Sequence, residues 1–68
     1  MARYLVREFS RDPPREGQSL HRVEAKDAGA AAAEFSRSDL GSDTSYQMIR
    51  VWREGEGESD AREYPLRR

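Results

Sequence analysis

The chain contains no cysteine, a single histidine (His21), a single lysine (Lys26) and a single tryptophan (Trp52) among its 68 residues. Without thiols there is neither a disulfide staple nor a thiolate zinc site. One histidine rules out a histidine-rich metal centre as well, so no metal and no cofactor are expected. Apolar residues are also scarce, at 35%. No run approaches the ~20 residues of a membrane span, and the N-terminus carries no signal-peptide core. The expectation is a soluble, cytoplasmic chain that does not engage a membrane. An excess of one charge is missing too: 12 basic against 13 acidic groups leave a formal charge of −1. That balance provides no general attraction to nucleic acid or to an anionic lipid surface.

At this length the chain is one small domain, residues 1–68, near the lower end of what a single core supports. A chain of this size buries roughly 60% of the surface its unfolded form exposes, which leaves a thin margin over conformational entropy. Small domains add disulfides, a structural metal or a partner. With the first two removed, association remains, either with a protein partner or with itself as a homodimer.

Charged residues are abundant, at 37%, and eleven of the twelve bases are arginine. Composition bias in a GC-rich genome is the plain explanation. Selection for bidentate or stacking contacts is the sharper one.

The most informative position is Asp27, where the hydrophobic period changes from two to 3.6 residues. Before it, residues 19–25 (SLHRVEA) alternate as a strand does. After it, Ala28, Ala31, Ala32 and Phe35 form a helical stripe over residues 28–38. Asp27 suits the N-cap, because its carboxylate can accept from the free N–H groups of the first turn and sits at the positive end of the helix dipole. Leu40 and Gly41 read as the helix stop, and GSDTS (residues 41–45) as a turn. Residues 3–9 (RYLVREF) and 46–54 (YQMIRVWRE) are further strands. The stretch around Pro13, Pro14 and Gly17 (residues 10–18) reads as a mobile loop, since proline donates no ladder hydrogen bond. Residues 55–68 read as an acidic loop followed by a tail or an edge strand, with Pro65 confining any strand to an edge.

These pieces define an α+β fold of ββαβ(β) type. The sheet is three- to four-stranded and mainly antiparallel, in the order 2-1-3 with a possible fourth edge strand, and one helix covers one face. The first strand is central because it is apolar on both parities.

Parity then sorts the side chains. Tyr4, Val6, Val23, Ala25, Ile49 and Val51 belong under the helix. Leu5, Arg7 and Phe9, with Leu20, Arg22 and Glu24, and with Met48, Arg50 and Trp52, belong on the uncovered face. Leu5, Phe9, Met48 and Trp52 would make an apolar patch of a size that marks an interaction site, with Arg7 and Arg50 at its rim. Three readings compete for this face. It is covered by the chain's own loop and tail; or it self-associates, sheet against sheet or by edge pairing; or it stacks unpaired bases on an arginine-and-aromatic platform. The acidic run Glu54, Glu56, Glu58 and Asp60, just past Trp52, weighs against nucleic acid.

No catalytic motif is present. His21 has no serine in a nucleophile-elbow context, no glycine-rich phosphate loop follows a strand, and residues 54–60 lack the ligand order of an EF-hand. A domain this small rarely offers a ligand pocket of ~300 Å³ on its own. Were a dimer to form a cleft, Arg7, His21, Arg22 and Arg50 would suit anion binding in it. The sequence therefore points to a non-catalytic protein-interaction or accessory module with Leu5, Arg7, Phe9, Met48, Arg50 and Trp52 as its surface. Modules of this size serve as accessory subunits, regulatory domains and orphan bacterial or phage proteins, so fold analogy alone carries little function.

Overall fold

The computed structural model describes residues 1–38 and 46–66. The expected helix stop at Leu40–Gly41 and the turn at 41–45 lie outside the described residues. A five-stranded antiparallel sheet carries one helix on one face. Its elements are β1 (Ala2–Arg11), β2 (Pro14–Glu16), β3 (His21–Ala25), α1 (Ala28–Ser38), β4 (Met48–Arg53), a 3-10 turn (Glu58–Asp60) and β5 (Arg62–Pro65). This is the small α+β fold that the period change implies.

β1 is central. It pairs with β4 on one edge, from Tyr4 opposite Arg53 to Phe9 opposite Met48. On the other edge β3 takes its first half, from Ala2 opposite Ala25 to Val6 opposite His21. β2 takes the end of that same edge, from Phe9 opposite Glu16 to Arg11 opposite Pro14. β5 closes the far side of β4.

The sheet thus has one strand more than the sequence implies. Residues 10–18 are not loop throughout: β1 continues through Arg11, the Asp12–Pro13 peptide is cis, and β2 returns along β1. Pro14 is tolerated because it opens a three-residue edge strand, where a missing N–H breaks no ladder. Gly17 then donates to Glu8 O at 2.8 Å. A Cβ there would stand 3.3 Å from that same oxygen, so the close return favours glycine.

The helix follows its stripe. The N–H of Ala30 donates to Asp27 Oδ1 at 2.7 Å, making Asp27 the N-cap. Ala31, Ala32 and Phe35 bury against Val6, Val23, Ala25, Ile49 and Val51, with Tyr4, Ala28, Ala30, Tyr64 and Leu66 around them. Alanine at the contact lets the helix lie close to β3, β4 and β1. Phe35 fills the far end, tilted against the His21 ring at 5.1 Å between centroids.

Candidate interaction surface

The strand pairings put Leu5 opposite Trp52, Arg7 opposite Arg50 and Phe9 opposite Met48, all on the face away from the helix. The six residues expected to form a surface are therefore brought together. Their exposure differs from expectation. Phe9 and Trp52 are only 2% and 5% exposed, while Leu5, Arg7, Met48 and Arg50 are half-buried.

Three pieces of the chain itself supply the cover. Gly55, at φ +102, makes the turn after β4 in a conformation that suits glycine. The 3-10 turn that follows packs against β4. There Glu58 Oε2 lies 3.2 Å from Arg7 Nε and 3.2 Å from Arg50 Nη1. From the other side β2 contributes Glu16, which Arg50 Nη1 also contacts. Glu63 of β5 completes the set, 3.7 Å from Arg50 Nε and paired with Arg11. The Arg50 guanidinium lies over the Phe9 ring at 4.3 Å and Arg11 reaches the same ring at 6.0 Å. The base-stacking face of Phe9 is thus already occupied by cations from its own chain.

The lattice continues toward β3. Arg3 lies 3.6 Å from Glu24 and 3.8 Å from Glu54, and Arg22 Nε lies 3.2 Å from Glu54 Oε2. Arginine and glutamate alternate across the face, so it carries charge texture without net charge. The hydrogen bond from Arg50, with its charge, holds the Glu16 carboxyl below the ordinary carboxylate value. Donating to Glu16 and Glu58 in turn raises Arg50 above the usual arginine value against the opposing effect of desolvation. Arg7 Nε is buried and makes only the off-line ion contact with Glu58 and no hydrogen bond of its own, while its Nη1 donates to Gly17 O at 3.4 Å.

Sequence reasoning passed over Glu8, which is buried on the helix side with its Oε1 3.7 Å from His21 Nε2. Its parity, shared with Tyr4 and Val6, was the available signal. Of the residues proposed for anion binding, Arg7 and Arg50 converge on the uncovered face. Arg22 lies at its margin, and His21 points to the opposite side.

Open clefts exist where few were expected. One of about 580 Å³ lies at the start of α1, lined by Arg53 and Arg62 with Tyr4 and Tyr64. Asp27, Glu56 and Asp60 line it as well, and Asp27 already caps the helix, so the cleft is not selective for anions. Another of about 350 Å³ runs between α1 and β5. Among the described residues no group of histidine and acidic side chains is placed to hold a metal ion. Nor is any described helix long and apolar enough to cross a membrane. Comparison with known protein families, with curated proteins and with solved structures finds no match.

Proposed function

We propose that this chain is a non-catalytic protein-interaction module, working in the cytoplasm, that assembles with a second copy of itself through its sheet. The observation that supports it is a two-layer arrangement in which, among the described residues, one helix packs on one face of the sheet while the other carries ion-paired side chains, half-buried Leu5 and Met48, and a 3-10 turn. The surface the module presents is the face carrying Leu5, Arg7, Met48 and Arg50, with Phe9 and Trp52 as the apolar floor beneath. A cysteine-free domain of this length gains stability from association.

Light scattering across a concentration series tests the reading. A mass that rises from one chain to two with concentration supports it. A strict monomer throughout would remove it.

A further inference from the structure

We propose that two copies of this chain pair antiparallel along the outer edge of β3, with Val23 opposite Val23 of the second copy. This rests on the self-association reading above and places the contact along a sheet edge, beside the face that carries Leu5, Arg7, Met48 and Arg50.

The direction of the backbone groups follows from two hydrogen bonds. Glu54 N–H donates to Arg3 O, so Arg3, Leu5 and Arg7 turn their N–H and C=O groups toward β4. Gly17 N–H donates to Glu8 O, so Tyr4, Val6 and Glu8 turn theirs the other way. In β3 the residues opposite Tyr4 and Val6 are Val23 and His21, which therefore bond to β1. Arg22 and Glu24 turn their N–H and C=O groups outward, where no described strand pairs with β3. Such an edge is a template for another strand.

Residues with outward groups must face one another, which leaves three registers along this strand. One sets Arg22 against itself, a second sets Glu24 against itself, and each places like charges opposite. The third sets Arg22 against Glu24 of the second copy, and the two-fold axis repeats the pair. Only this one is self-complementary. It also lays the stem of Lys26 of the second copy over Leu20, which is 46% exposed.

The charges that pair are available. The Arg22 and Glu24 side chains are 71% and 63% exposed, although each already has one partner in its own chain. Pairing extends these into an alternating row of Glu54, Arg22, then Glu24 and Arg3 of the second copy. Stacking two uncovered faces would instead strip water from the whole Arg–Glu lattice, at a desolvation cost its satisfied pairs do not recover. The helices leave room for the edge contact. α1 spans β3, β1 and β4. Axes centred on that span would stand about three strand spacings apart, roughly 14 Å, beyond the ~8–10 Å of packed helices. The product is one continuous sheet with both uncovered faces side by side.

Sedimentation equilibrium of three variants tests this. Arg22→Glu and Glu24→Arg each turn two attractive pairs into like-charge pairs and should weaken dimerisation about tenfold. The double variant Arg22→Glu/Glu24→Arg should restore it to near the wild-type value. A wild-type dimer indifferent to the single reversals would overturn the edge while leaving self-association standing. Single losses with no rescue would overturn the register. A wild-type monomer at every concentration would overturn both. Should a reversal unfold the chain, concentration-dependent protection of the wild-type Arg22 and Glu24 amides reads the same contact.

Discussion

The Arg50 guanidinium carbon stands over Phe9, 4.3 Å from the ring centroid, while its nitrogens contact Glu16, Glu58 and Glu63. One side chain thus ties together β1, β2, β4, β5 and the 3-10 turn. It covers the Phe9 ring in what would otherwise be a more open apolar surface. Removing it as Arg50→Ala should cost about 1–3 kcal/mol, from the lost cation–π contact and the uncovered ring. Urea unfolding measures this. Arg50→Lys should recover less than half, since an ammonium lacks the planar fork that stacks and pairs at once. Full recovery would mean that charge alone matters.

The Glu16 carboxyl is held below its ordinary value by the hydrogen bond from Arg50. A lowered folded value means that the ionised form favours the native state. The contribution is complete above the unfolded carboxylate range and is lost as pH falls through the folded value. The stability gap between wild type and Glu16→Gln should therefore be widest near neutral pH and narrow as the pH falls below the ordinary carboxylate range. Urea midpoints followed from neutral pH into acid check it, and a gap that widens in acid would reverse the sign.

Asp27 Oδ1 accepts from the N–H of Ala30. Asp27→Ala should cost about 1 kcal/mol and Asp27→Ser much less, because a serine hydroxyl can cap the same groups. Thermal unfolding followed by circular dichroism separates the two.

Ala31 is fully buried between helix and sheet. Ala31→Leu should overpack that contact and destabilise the domain by roughly 1–3 kcal/mol. Ala33→Leu, on the exposed side of the same helix, should change stability little. Equal effects at both positions would place the stripe elsewhere.

Much of this architecture is legible in the sequence, because strand and helix periods are local signals. The change of period at Asp27 locates α1 at Ala28–Ser38, and parity separates Tyr4, Val6, Ile49 and Val51 from Leu5, Phe9, Met48 and Trp52. What is not legible depends on distant partners. β2 forms although Pro14 carries no N–H, because it pairs only with the end of β1. The cover on Phe9 needs Arg50 held by Glu16, Glu58 and Glu63 from three separate segments, and their spacing in the chain does not announce it. Read alone, the apolar parity of β1 and β4 therefore overstates how much of that face is open.

Amide hydrogen exchange of the wild-type chain at low and high concentration tests the central claim most directly. Pairing of two β3 edges predicts that the Arg22 and Glu24 amides, which face away from β1, gain protection as concentration rises, while Val23 is protected throughout. Arg22 and Glu24 amides that exchange freely at every concentration would contradict it.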